Sequence, residues 1–233
     1  MAENKGIHDG HRDRVRERFL NDGLDSFVDH QVMELLLFYG IPRKDTNEIA
    51  HKLMDSFGSF SGVFDASIES LVDCGLSRNC ASLIKLIPAV CSRYYVDKYK
   101  SHNKSNQINS DNIGDCILPY FIGKDDEQVL LLLVDPKGNR LFCEVISTGS
   151  FSASEVNIRK IMQLCVKHKA YGAILAHNHP SGVALPSAQD IKVTKKLKAS
   201  LASIDVRLLD HLIIADMDFC PMSELEDCED IFY

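Results

Sequence analysis

The sequence lacks several features that would have fixed its class at once. Its longest apolar run is the six residues of VLLLLV, Val129 to Val134, against the roughly 20 that a membrane-crossing helix needs. The opening residues, MAENKGIHDGHRDR, are polar and contain no apolar h-region, so no targeting segment is expected. Positive charge is in deficit, 26 Lys and Arg against 33 Asp and Glu for a formal net charge of −7, which argues against a protein held to nucleic acid mainly by a basic surface. None of the eight cysteines forms a C-x-x-C pair. With no secretory signal, the thiols are expected to be reduced, mostly buried and without chemistry of their own. No internal repeat is visible. These absences predict a soluble, cytoplasmic protein with no membrane partner, and 233 residues suffice for one large domain or two small ones.

Up to residue 96 the periodicity is helical and no strand alternates convincingly. Ser26 and Asp29 have capping-box spacing ahead of Val32, Leu35, Leu36 and Tyr39, and Gly40 stops that helix. A second helix is expected from near Thr46 to Phe57, and a third from near Ser77 that Pro88 should kink or end. Residues 97–115 have only three large apolar side chains and read as a polar linker. Beyond it EQVLLLLVD and RLFCEVIS read as two strands around a PKGN turn, followed by a helix with a second capping box at Ser152 and Glu155. GAILA, residues 172–176, is a short buried strand, a helix follows from about Ser187 to Leu201, and VRLLDHLIIA is a further strand. The chain therefore divides into a helical domain, 1–96, a linker, 97–115, and an α/β domain, 116–233.

One stretch concentrates chemistry. AHNHPSGVALPSAQD, residues 176–190, holds the only His-x-His in the chain. Residues i and i+2 of an extended strand point to one side, so His177 and His179 can aim two imidazoles at one point. Pro180, Ser181 and Gly182 then turn the chain, and Ser187 to Asp190 has the S-x-x-D spacing of a helix start, where the dipole favours an ionised aspartate. Two neutral imidazoles and a carboxylate with one open position are the ligands of a catalytic zinc. The competing reading is an ordinary strand, turn and capped helix. A cap that fixes the direction of Asp190 is compatible with both.

HNHPSGVALPSAQD resembles the H-x-H-x7-S-x2-D pattern of the JAB/MPN+ (JAMM) metallopeptidases, and HNHPSG is similar to their RadC branch. EQVLLLLVDPKGNRL and LLDHLIIAD lie where RadC-like chains place comparable stretches, and the helical part is similar too. The resemblance implies an α+β two-domain chain, an N-terminal all-α, helix-hairpin-helix-like domain followed by a cytidine-deaminase-like JAB/MPN domain with a mixed sheet flanked by helices. It implies one catalytic Zn2+ per chain held by His177, His179 and Asp190, and cleavage of a peptide, isopeptide or other amide bond in a peptide or protein substrate. Ser187 would hydrogen-bond the oxyanion and Glu127 would be the general base, with Glu144 and Glu155 as fallbacks. His211 and Asp210 are expected in supporting or core positions, and His168 on the surface.

RadC-like proteins are labelled DNA repair proteins, which gives the alternative reading of a DNA-associated repair or recombination module with an accessory zinc domain. A helix-hairpin-helix binds phosphate through backbone N–H groups at a glycine turn. VDCGLSRNCASLIKL is the nearest match, with Gly75 kept and Ser77 in place of the usual second glycine. Arg12, Arg14, Arg16 and Arg18 of HRDRVRER are the candidate phosphate contacts, although arginines interleaved with acids also make a solvated helical face.

Overall fold

The computed structural model describes residues 10–102, 106–149, 157–180 and 182–232. The chain divides into two compact units, one ending at Pro88 and the other starting at Ala89.

The first unit is helical: α1 (His11–Asp22), α2 (Asp29–Gly40), α3 (Asn47–Phe57), α4 (Phe60–Asp65), α5 (Ile68–Asp73) and the start of α6 (Arg78–His102). Met33, Leu37, Ala50, Leu53, Val63, Leu71, Leu76, Cys80, Ala81 and Ile84 close into one core. The two shortest helices, unmarked by periodicity, each begin at a serine that accepts a backbone N–H three residues on, Ser59 from Gly62 and Ser67 from Ser70. The capping box expected at Ser26 and Asp29 does not form. Arg18 takes Ser26 instead, donating Nε–H to its Oγ at 3.1 Å, and α2 begins only at Asp29. Pro88 does not end the third expected helix, because α6 continues through it to His102.

Residues 97–102 therefore belong to a helix, and residues 106–115 of the expected linker are docked rather than free. Ile108 N–H donates to Gly138 O at 2.9 Å, and Asn106 Nδ2 donates to Arg140 O at 2.8 Å. Ile113 opens the short α7 (Ile113–Ile117) and packs into the core. Asn106 and Gln107 are satisfied by the backbone of a hairpin that is distant in sequence, and Asn109 and Asn112 by the backbone of their own turn.

The second unit is built on a five-stranded mixed sheet of order β2-β1-β3-β4-β5. Its strands are β1 (Gln128–Val134), β2 (Arg140–Thr148), β3 (Gly172–Asn178), β4 (Arg207–Ala215) and β5 (Asp218–Pro221). The pairs are antiparallel except β3 with β4, which is parallel. That parallel pair requires a crossover, supplied by α9 (Ala188–Ala202). Both faces of the sheet are covered, which explains unbroken runs such as VLLLLV. Leu130, Leu132, Ile174, Ala176, Leu212 and Ile214 face α7 and the 3-10 turn Leu118–Phe121. Leu131, Leu133, Ala173 and Leu175 face α9 and α8 (Ile158–His168). The capping box at Ser152 and Glu155 lies outside the described residues; the described helix starts at Ile158 with Asn157 accepting from Lys160 N–H at 2.9 Å. The chain closes with α10 (Glu229–Phe232). No helix among the described residues is long and apolar enough to cross a membrane.

Candidate metal centre

β3 and α9 meet at their adjoining ends, and this junction builds the site. His177, the second-last residue of β3, lies opposite Val129 of β1 and Ile213 of β4 and is fully buried. His179 extends the ladder by one more bond, its N–H donating to Ile214 O at 2.7 Å, so strand geometry lasts through both histidines. The chain then turns, with Gly182 N–H on His179 O at 3.1 Å and a φ of +82° that favours glycine. Ser187 caps α9: its Oγ accepts Asp190 N–H at 3.2 Å, and Asp190 Oδ2 accepts Ser187 N–H at 2.6 Å. The expected capping box is present, and it places the carboxylate facing the imidazoles.

His177, His179 and Asp190 converge, with donor atoms within 4.8 Å of one another, and could hold a metal ion. His177 Nε2 is 3.3 Å from Asp190 Oδ1, His179 Nε2 is 3.4 Å from Oδ2, and the two Nε2 atoms are 2.8 Å apart. Tetrahedral ligands at usual zinc distances lie about 3.3 Å from each other. The two imidazole–carboxylate spacings match that value, and the imidazole pair is closer. The chemistry of the donor set also fits a cation. His179 Nδ1 is 3.0 Å from Val183 O. A carbonyl only accepts, so Nδ1 carries the hydrogen and a neutral ring leaves Nε2 bare. A bare nitrogen beside a second imidazole nitrogen and a carboxylate is repulsive unless a proton or cation lies among them.

The electrostatics agree. Burial pushes Asp190 up, but the close approach of the His177 ring and hydrogen bonding by Ser187 outweigh it and hold the carboxyl well below the usual range, ionised and able to ligate. Burial pulls His177 below the ordinary imidazole value, with Asp190 opposing, and burial pulls His211 well below it, reinforced by His177. Neutral imidazoles are the metal-binding form.

Glu127 sits at the half-buried entrance to β1, and its charge favours the protonated form of His177. Glu144 is exposed in mid-strand opposite Leu131, away from the β1 end that carries the site, and Glu155 lies outside the described residues. Sequence reasoning passed over Asn178, the middle residue of the motif. Alternation sends it away from the two histidines, where Oδ1 accepts Gln128 N–H at 2.7 Å and Nδ2 donates to Asp126 O at 3.1 Å. The two bonds bracket Glu127, and Glu127 O accepts Gly149 N–H at 2.8 Å. Thr194 was also missed. It is one turn beyond Asp190 on the same face of α9, buried against His211. A buried polar residue at i+4 from a candidate ligand was the available signal. Asp210 serves structure, accepting from Ser223 Oγ at 2.7 Å and Ser223 N–H at 3.1 Å. His168 is not a surface residue: it is half-buried against Phe142, ring centroids 4.9 Å apart.

The N-terminal candidates lie in the helical unit, most of them with partners there. Gly75 takes a φ of +109° between α5 and α6, and Ser77 caps α6 by accepting Cys80 N–H at 3.2 Å. Arg12 donates to the carbonyls of Phe38, Ile41 and Lys44 where α2 ends, Arg16 pairs with Asp13 at 3.2 Å, and Arg18 holds Ser26. Arg14 is exposed on α1.

Comparison with known proteins agrees with this geometry. Residues 108–227 match the family described as RadC-like JAB domain. A UPF0758 protein of Fusobacterium nucleatum is 35% identical over 215 residues, 88% of this chain and 91% of its own. UPF0758 proteins of Carboxydothermus hydrogenoformans and Burkholderia cenocepacia are each 31% identical, covering 90% and 88% of this chain and 92% and 80% of theirs. With its histidine pair, capped aspartate and sheet in place, the chain belongs to the RadC-like JAB domain family.

Proposed function

We propose that this chain is a zinc-dependent hydrolase that cleaves a peptide, isopeptide or other amide bond, with His177, His179 and Asp190 as zinc ligands. The observation that carries the reading is the convergence of two imidazole nitrogens and an ionised, largely buried carboxylate at one strand-to-helix junction. When bound, zinc supplies a Lewis acid that brings the pKa of water to about 7 and polarises a carbonyl. The chain's own residues do the remainder. Glu127, bracketed by Asn178, accepts a proton from water and returns it to the leaving amine. Ser187 uses its Oγ lone pair in the cap, which leaves the hydroxyl hydrogen to donate to a carbonyl oxygen as charge develops there. Asp190, kept ionised, contributes charge and a ligand atom rather than base chemistry.

Metal analysis of the purified protein is the first test, with near one zinc per chain expected and none in a His177→Ala/His179→Ala double variant. Glu127→Gln separates an enzyme from a zinc-stabilised interaction domain: zinc content and melting temperature should be retained while cleavage of peptide and isopeptide model amides is lost. A metal-free wild type, or a Gln variant as active as wild type, overturns the reading. The alternative of a DNA-associated module rests on Gly75, Ser77 and the four arginines. Arg12, Arg16 and Arg18 have partners inside the helical unit, so no observation favours it over hydrolysis.

A further inference from the structure

Behind the candidate ligands lies a chain of buried hydrogen bonds that the proposed reaction does not itself require. His177 Nδ1 is 2.8 Å from His211 Nε2, His211 Nδ1 is 2.7 Å from Thr194 Oγ1, and Thr194 Oγ1 is 2.6 Å from Asp190 O. All of these side chains are shut off from solvent. The chain starts at the ligand Asp190 and ends at the ligand His177, crossing from α9 to β4 to β3.

The hydrogens in this chain can be assigned. Asp190 O is a backbone carbonyl and only accepts, so at 2.6 Å the single hydroxyl hydrogen of Thr194 must point to it. The reverse assignment would leave two oxygen lone pairs facing each other at that distance. Met222 Sδ, 3.7 Å from the hydroxyl, is the weaker acceptor. With its hydrogen committed, Thr194 Oγ1 can only accept from His211, so His211 Nδ1 carries a hydrogen. His211 is fully enclosed by the protein, and its neutral ring, with the hydrogen on Nδ1, has a bare Nε2 that must accept from His177 Nδ1–H. Neutral His177 is thereby left with its lone pair on Nε2, the nitrogen that faces Asp190 and His179.

We propose that Thr194 and His211 are positioning residues that lock His177 in its Nδ1–H tautomer and fix its ring, so that Nε2 is presented ready to ligate. The inference rests on the metal reading for its purpose, but the tautomer assignment stands on the hydrogen bonds and on the complete burial of His211. The two ligating imidazoles are oriented by unlike devices. His179 leans on a single carbonyl in a surface turn, whereas His177 is held by a relay whose origin is the helical turn that also bears Asp190. Helix placement and ring tautomer are therefore linked: moving Asp190 O releases the hydroxyl that sets the relay.

Thr194→Val removes the hydroxyl with little change of shape, and Thr194→Ser restores it. Zinc affinity, measured by competition with a chromophoric chelator, should fall about 10-fold or more in Thr194→Val, within the 10–100-fold typical of partners that orient ligands, and return toward wild type in Thr194→Ser. His211→Leu should lie near the upper end, and His211→Gln, whose amide oxygen can reach the place of Nε2, should recover part of the loss. Two-bond 1H–15N spectra of the zinc-free wild-type protein at neutral pH should show His177 as the Nδ1–H tautomer, and Thr194→Val should show a mixture. An Nε2–H His177 in wild type, or a Thr194→Val protein with wild-type affinity and tautomer, overturns the proposal. If wild type takes up no zinc, the metal reading fails, while the tautomer spectra still decide for or against the relay.

Discussion

The molecule makes the same local construction twice with different results. At residues 74–78 a positive-φ glycine turn leads to a serine that caps α6; at residues 179–190 a positive-φ glycine turn leads to a serine that caps α9. Around the first, Lys52 Nζ donates to Cys74 O at 2.6 Å, and the turn is otherwise a helix start. Around the second, the cap is reciprocal and its carboxylate faces two imidazoles brought by a buried strand. A glycine turn and a serine cap are devices of local folding. What makes a site is the strand whose alternation delivers two side chains to the place where the helix begins.

Removing the carboxylate breaks the comparison most completely. Asp190→Ala should reduce zinc content from near one per chain to near zero, read by elemental analysis after dialysis. No substitution in the turn at 74–78 should alter it. Zinc retained by Asp190→Ala would mean that the second construction is no more a metal site than the first.

The comparison also shows how far the residues could be read in order. His177, His179, Ser187 and Asp190 were legible because a strand period of two and a capping box are local rules, and the structure joins what those rules predicted separately. Asn178 was not, since its role lies in bonds to residues 126 and 128, and the i+4 spacing of Thr194 from Asp190 placed it on the ligand's face without showing its bond to residue 211, separations no periodicity encodes. The polar stretch 97–115 misled for the same reason: Asn106 and Ile108 are bound to the β1–β2 hairpin, and composition cannot show a partner 30 residues away. Arg12 read as part of a phosphate-binding or solvated face because its acceptors at residues 38, 41 and 44 lie at and just beyond the end of another helix.

That arginine gives the next largest effect. Arg12 closes the carbonyl end of α2 with charge-assisted bonds and lies over the Phe38 ring at 4.7 Å. Arg12→Ala should destabilise the helical unit by about 2 kcal/mol, and Arg12→Lys should rescue little of it, because one ammonium cannot reproduce the fork. Chemical denaturation checks this. The DNA-bound alternative expects instead steeply salt-dependent binding that disappears when Arg12, Arg14, Arg16 and Arg18 are neutralised together. Such binding by the intact protein would give the helical unit a function after all.

Acid should separate the two units in the zinc-free protein. His177 and His211 have folded values below the unfolded imidazole's, so below about pH 6.5 the unfolded chain binds more protons than the folded one. Their contribution is complete above that pH and is lost as pH falls toward the folded values. Asp190, also depressed, adds loss in the same direction at lower pH. The melting temperature of the sheet unit should drop by a few degrees between pH 7 and pH 5. A flat profile over that interval would mean that the buried imidazoles are already charged, contrary to a neutral ligand set.

The two serines provide the finest comparison, because they are one residue type at one helical position. Ser77→Ala and Ser187→Ala should each cost about 1 kcal/mol as lost caps. Neither should change zinc content: Asp190 Oδ2 is held by the backbone N–H of residue 187, which alanine keeps. They should differ in catalysis alone. Ser77→Ala should leave hydrolysis of a cleavable amide intact, whereas Ser187→Ala should slow it by about 10²–10³, the loss typical of one oxyanion donor. Equal rates in the two variants, with zinc still bound, would make Ser187 a cap like Ser77 and leave the developing oxyanion without the donor assigned to it.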